Sequence, residues 1–298
     1  MIKILVLGSS GFFGKILVPY LRKKNYEVCT DIGYLKKKLK KNQNVQYELF
    51  KEIIKKKPKI IINLIAFTNI DKCEKFKKLA ENSNSSFVKT LSTVISKFFL
   101  KNIHLIHLST DQVYNGYGPH TEKNVSPKNY YAKTKLKGEK FASEINSTIL
   151  RTNFIGKSKN KKASLSDWIV KNIKKKKSIF VFKNIFFSPL HTSTLCDAIN
   201  KVIKLRIKGV YNLGSSSRIS KAEFAKQLCK RLNLNLNKLV YTNYSNKFLF
   251  ARRPLDMSLN VNKFKKKFKF KLPKVMTEIG KLSREYSKGK HEIFKNWK

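Results

Sequence analysis

The sequence predicts a doubly wound α/β fold: a parallel sheet flanked by helices, joined to a smaller, more irregular C-terminal region. Three observations carry that prediction. Short apolar runs alternate with amphipathic stretches over residues 1–150, the pattern of strand–helix–strand units. The first apolar run ends on three evenly spaced glycines, Gly8, Gly11 and Gly14. Residues 60–66 are apolar except for Asn63, as a strand buried on both faces of a parallel sheet should be.

Residues 2–7 read as the first strand and 8–14 (Gly-Ser-Ser-Gly-Phe-Phe-Gly) as a tight turn. The amphipathic stretch 12–24 is the first helix, and 26–30 the second strand. A lysine-rich helix over about 49–57 leads into the strand 60–66, and a helical stretch 87–100 precedes a strand at 103–108. Pro127 opens a long helix reaching about residue 144, and 148–151 is the next strand. Beyond it, 165–174 and 193–205 look helical, with a short strand at 179–182 between them. Residues 209–213 form a strand suited to return to the main sheet. Ser220 caps a helix to about residue 232, and Pro273 precedes a last helix to about 286. The expected units are 1–152, with 206–214 returning to it, and a mainly α+β region over 153–298, the two interleaved. No internal repeat and no long linker interrupts them.

Composition removes several classes. The 298 residues carry 65 Lys+Arg against 18 Asp+Glu, a formal charge of +47. Only eight of those cations are arginine, the residue that forks onto phosphates and guanine edges; the other 57 are lysine. The lysines fall in short runs along the whole chain, such as 36–38, 174–177 and 265–267. They read as a compositionally biased, solvated surface, with no specific nucleic-acid partner. Such a field still draws in anionic small molecules. At 41% hydrophobic residues the chain can bury a sizeable core, and disorder is excluded. No apolar run approaches the roughly 20 residues that span a bilayer, and the N-terminus lacks a signal-peptide pattern. Cys29, Cys73, Cys196 and Cys229 are irregularly spaced and read as reduced thiols, so a cytoplasmic location without membrane insertion is expected.

Chemistry concentrates in two places. Gly8, Gly11 and Gly14 follow a strand and open a helix, where a tight turn lets backbone approach a pyrophosphate at the helix N-terminus. Asp31 lies 23 residues after Gly8, close to the offset at which an acid accepts from the adenosine ribose hydroxyls. An aspartate there favours NAD, whereas the lysines at 36–38 work the other way, so NADH and NADPH both stay open. In the second place, Tyr131 and Lys135 share one helix face at i,i+4, and an ammonium beside a phenol stabilises the phenolate. Ser109-Thr110-Asp111 ends the strand upstream, at the edge where open α/β sheets bind ligands.

Read in order, these motifs resemble the extended short-chain dehydrogenases/reductases, and within them the dTDP-4-dehydrorhamnose reductase family. The resemblance runs through the glycine turn, Asn63-Leu64-Ile65-Ala66-Phe67-Thr68, Asp71-Lys72-Cys73-Glu74, Asn84, Ser109-Thr110-Asp111, Tyr131 with Lys135, Leu150-Arg151-Thr152, Arg253-Pro254 and Ser258-Leu259. It implies a Rossmann-type sheet with a C-terminal substrate-binding region. It also implies NAD(P)H-dependent reduction of the 4-keto group of a dTDP-linked keto-deoxysugar, for surface polysaccharide.

Residue by residue, the resemblance implies that Tyr131 protonates the alkoxide, Lys135 holds the nicotinamide ribose and lowers the tyrosine pKa, and Thr110 positions the carbonyl. Gly8, Ser10, Gly11, Phe12 and Gly14 would hold the pyrophosphate, with Asp31, Ala66 and Thr68 along the cofactor. Asp111, Gln112 and Phe154 would face the sugar. Arg253 would anchor the diphosphate, with a structural role as its alternative, while Asp71, Lys72 and Arg151 are expected to be structural. Gln112 and Phe154 depart from the family's usual aromatic and tryptophan, which leaves the hexose open. Ile16 stands where some bacterial relatives carry an acidic metal ligand, so no metal is expected. His191 reads as a loop or cap residue. A homodimer is compatible with the pattern. The alternatives are a sugar-nucleotide epimerase or dehydratase of the same superfamily, and a non-catalytic cofactor-binding regulatory subunit.

Overall fold

The computed structural model describes residues 1–30, 45–98, 102–158, 164–245 and 250–287. Asp31 and the lysines at 36–38 lie outside the described residues. Six strands form the central sheet: β1 (Lys3–Leu7), β2 (Glu27–Thr30), β3 (Ile60–Asn63), β4 (His104–Thr110), β5 (Ser147–Thr152) and β6 (Gly209–Leu213). Their order is β6-β5-β4-β3-β1-β2, and every pairing is parallel. The chain leaves β1 for the edge strand β2 and returns to β3 on its other side. The order therefore reverses beside β1, at the end that carries the glycine turn, where such sheets open a crevice.

Side-chain alternation with period two sorts the sheet's apolar residues into two cores. Leu5, Leu7, Ile61, Leu105 and Ile149 pack with Leu49 and Ile53 of the helix Gln46–Lys56 and with Phe87, Leu91 and Ile95 of the helix Phe87–Phe98. Ile4, Val6, Ile60, Ile62, Ile106 and Leu150 pack with the helices Gly14–Lys23, Thr192–Leu205 and Asn262–Phe268. A third core lies in a C-terminal lobe, among the helices Leu165–Lys174, Lys221–Arg231 and Val275–Ser287. Its strands are short. Phe186–Phe187 pairs with Ile219–Ser220 and Asp256–Met257, and Ile179–Phe182 pairs with Leu239–Thr242.

Two expected boundaries shift, each for a local reason. The strand expected over 60–66 ends at Asn63, whose Oδ1 accepts from Ile65 N at 3.0 Å and turns the backbone out of the sheet. The helix expected from Pro127 starts at Tyr130, because Asn129 is its N-cap and accepts from Ala132 N at 2.9 Å. Ser220 does cap its helix, accepting from Glu223 N at 3.1 Å. All four cysteines are free thiols, three of them buried. Among the described residues no helix is long and apolar enough to cross a membrane.

Candidate active site

Gly8 has φ +82°, a left-handed conformation that favours glycine, and a Cβ there would lie 2.9 Å from Ile65 N and Leu64 C. The turn thus packs backbone against the loop that follows β3. Gly11 N donates to Gly8 O at 3.0 Å, and Gly14 opens the helix, where Lys15 N donates back to Gly11 O at 3.1 Å. Ser10 is exposed and Phe12 half-buried. This backbone-lined turn fits a dinucleotide pyrophosphate, which needs close approach and N–H donors rather than side chains. Phe12 and Phe13 both contact Phe154, at ring-centroid distances of 5.9 and 5.2 Å. The residue expected to face the sugar is therefore in contact with the turn expected to hold the cofactor.

Thr110, Tyr131 and Lys135 converge at the carboxyl end of β4, with exposures of 4%, 8% and 2%. Thr110 Oγ1 accepts from Gln112 N at 3.1 Å and donates to Asp111 Oδ1 at 3.3 Å. Burial pushes the Tyr131 phenol up, and the Thr110 hydroxyl beside it pulls the other way. The balance is upward, so the lowering expected from Lys135 does not set the phenol's resting state. Lys135 Nζ donates to Leu108 O at 2.6 Å, and burial pushes its ammonium down to about 8, with Glu139 working against that.

The helix carrying this pair is docked by a close approach. A Cβ on Gly138 would lie 2.2 Å from Asn84 O, in the π-helical turn Asn82–Ser86. Asn84 in turn accepts from Phe67 N at 2.8 Å and donates to Phe67 O at 3.2 Å and Thr134 Oγ1 at 3.1 Å. One asparagine thus fixes both the helix Tyr130–Ser143 and the loop that carries Ala66 and Thr68.

On the substrate side, Asp111 accepts from Asn153 Nδ2 at 2.9 Å. Burial pushes its carboxyl up, against the pull of Lys221. Lys221, pushed down by its own burial, holds its ammonium 3.2 Å from the Phe187 ring centroid. Gln112 accepts from Asn129 Nδ2 at 3.3 Å and donates to Met257 Sδ, so it ties the cap of the helix carrying Tyr131 to the lobe. Arg253 pairs with Asp71 at 2.8 Å and donates to Ala251 O at 3.0 Å. His191 is the N-cap of the helix Thr192–Leu205, accepting from Ser193 N at 3.2 Å. Arg151 is an internal ion-pair partner, 2.6 Å from Glu139.

Asn153, Lys221 and Met257 escape the sequence reading. Asn153 was within reach, two residues beyond Arg151 in a strand-end motif; Lys221 is hidden among 57 lysines. Among the described residues no group of three His, Cys, Asp or Glu side chains is placed to hold a metal ion.

A parallel sheet with a glycine turn after β1 and a Thr–Tyr–Lys set at the end of β4 defines the class: a short-chain dehydrogenase/reductase of the extended kind. Within that class, the RmlD substrate binding domain family matches residues 2–288, and the chain belongs to that family. It is 30% identical over 257 residues to the spore coat polysaccharide biosynthesis protein SpsK of Bacillus subtilis (strain 168), covering 83% of this chain and 86% of that one. It is 28% identical over 240 residues to the dTDP-4-dehydrorhamnose reductase of Shigella flexneri, covering 74% and 78%. The solved dTDP-4-dehydrorhamnose reductase of Bacillus anthracis str. Ames, in complex with NADP, shares its fold at a TM-score of 0.85 and 23% identity, covering 96% and 100%.

Proposed function

We propose that this chain is a nicotinamide-dependent reductase of the 4-keto group of a dTDP-linked 4-keto-6-deoxy sugar, supplying activated deoxysugar for surface polysaccharide. The observation that carries the reading is the burial of Thr110, Tyr131 and Lys135 together at the carboxyl end of β4. Relatives named for reduction of dTDP-4-keto sugars and for polysaccharide biosynthesis support it.

A bound nicotinamide supplies the hydride to the sugar C4. The Thr110 hydroxyl orients the carbonyl oxygen beside Tyr131. Because burial keeps the phenol protonated at neutral pH, Tyr131 is the acid that gives its proton to that oxygen as negative charge develops there. Leu108 O takes one of the three N–H donors of Lys135, leaving two for the ribose hydroxyls, and the ammonium charge stabilises the phenolate left behind. Gly8, Ser10, Gly11, Phe12 and Gly14 cradle the pyrophosphate, with Asp31, Ala66 and Thr68 along the nucleotide. Asp111, Gln112 and Phe154 face the sugar, and Arg253, oriented by Asp71, reaches the diphosphate. The cofactor is NADH or NADPH, no metal is required, and the reaction belongs to the cytoplasm.

The test is oxidation of NADPH or NADH by purified protein, with and without dTDP-4-keto-6-deoxy sugar, followed by sugar analysis. Cofactor oxidation matched by a reduced hexose, unaffected by chelator, is expected. Normal cofactor binding without turnover on any keto-sugar nucleotide would favour the regulatory subunit. A rearranged or dehydrated sugar without net cofactor oxidation would favour the epimerase or dehydratase.

A further inference from the structure

Ser109, the residue before Thr110, donates its hydroxyl to Glu139. Glu139 lies one turn beyond Lys135 and two beyond Tyr131 on the helix Tyr130–Ser143, and is buried. Its carboxylate also takes Arg151 Nη2 at 2.6 Å and Nε at 3.0 Å. Arg151 sits opposite Ser109 in the β4–β5 register. Its other terminal nitrogen donates to Tyr114 OH at 2.9 Å and Glu122 O at 2.8 Å, and Tyr114 OH donates to Asn212 Oδ1 of β6 at 2.6 Å. One connected buried network therefore spans β4, β5, β6 and the catalytic helix.

Buried ion pairs are often no more stabilising than apolar groups of the same size, so stability alone is a weak reason for this network. Its location is what distinguishes it. One end holds the chain neighbour of Thr110, and its carboxylate is one helical turn from Lys135, about 5–6 Å between Cβ atoms. Other charged and titratable groups pack around that helix: Lys77 lies over the Tyr130 ring at 5.7 Å and Lys89 over the Phe141 ring at 5.6 Å. Burial keeps His107 of β4 neutral, and Asp111 and Cys73 bear on Tyr131. Glu74 accepts from Tyr130 N, Glu81 pairs with Lys137, and Arg151 stands behind Glu139.

We propose that Glu139 is a positioning residue for the reaction: it ties the strand end bearing Thr110 to the helix bearing Tyr131 and Lys135, and sets a buried carboxylate one helical turn from the Lys135 ammonium. The proposal rests on the role given above to Lys135. It extends that reading to a side chain that touches neither substrate nor cofactor.

The experiment measures NADPH affinity against pH, which needs no turnover, beside kcat and KM. In the wild type, affinity should weaken as pH rises through about 8, where Lys135 loses its proton. Glu139→Gln should move that midpoint down by about one pH unit, the scale of removing a neighbouring opposite charge. The double variant Glu139→Gln/Arg151→Met removes the unpaired cation and should regain thermal stability while keeping the lowered midpoint. Ser109→Ala keeps both charges and should lower kcat roughly ten-fold or more with cofactor affinity unchanged. A stable double variant with the wild-type midpoint overturns the proposal, and so does a Ser109→Ala enzyme with wild-type kcat. Absence of turnover in the wild type would remove the reductase reading, while the affinity midpoints would still decide the role of Glu139.

Discussion

The sheet half of the molecule and the substrate-side lobe reach order by different routes. In the sheet half, alternating Ile, Leu and Val of β1, β3, β4 and β5 enter two apolar cores, and long helices cover both faces. Within the lobe, paired segments are as short as two residues, and individual side-chain contacts join it to the sheet half: Asn153 to Asp111, Gln112 to Met257, Arg253 to Asp71. The division matches what catalysis needs. On the proposed reading, Tyr131 and Lys135 sit on a helix docked against Asn84, while the sugar meets a wall assembled from side chains of the lobe and the strand ends.

That contrast predicts graded consequences. The largest belongs to the sheet half: Tyr131→Phe should cut kcat by ~10²–10⁴ with cofactor affinity unchanged, in steady-state and binding assays. Full activity in that variant would remove the phenol from the mechanism. Next comes Gly138→Leu, whose Cβ meets Asn84 O at 2.2 Å. Prising the helix off its docking turn should destabilise the fold by ~1–3 kcal/mol or more, read by denaturant unfolding, and depress kcat with it. A stable, active Gly138→Leu protein would break the claim that helix docking sets the site. The smallest effect belongs to the sugar wall. Phe154→Ala should raise KM for the sugar nucleotide by ~10-fold while leaving the free energy of unfolding within ~1 kcal/mol of wild type, because Phe154 is only half-buried. Equal loss of stability in Phe154→Ala and Gly138→Leu would erase the distinction between frame and wall.

The same division explains what the sequence made legible. The sheet strands, the glycine turn and the Tyr131–Lys135 pair are local features, written in short-range periodicity and spacing. Where a side chain redirected the backbone, the apolar pattern misled: Asn63 ends a strand that hydrophobicity alone would carry three residues further. Asn129, not Pro127, sets the start of the helix carrying Tyr131, since a cap is decided by which side chain reaches a free N–H. The lobe's contributions were illegible for another reason. Lys221 over Phe187 and Met257 against Gln112 are long-range meetings with no sequence period, and one lysine among 57 carries no mark of its neighbours. Thr110 was found through its motif, but the upward push that burial gives Tyr131 needed the fold, because it depends on how completely the phenol is enclosed.

The central claim is that this chain delivers hydride to C4 of a keto-sugar nucleotide, with Tyr131 protonating the oxygen. The most direct measurement supplies nicotinamide cofactor carrying deuterium at its transferable position and locates the label in the sugar product. One deuterium at C4, in amount equal to the cofactor oxidised, is the predicted result. A reduced product without deuterium at C4, or a rearranged sugar formed with no cofactor consumed, would contradict it.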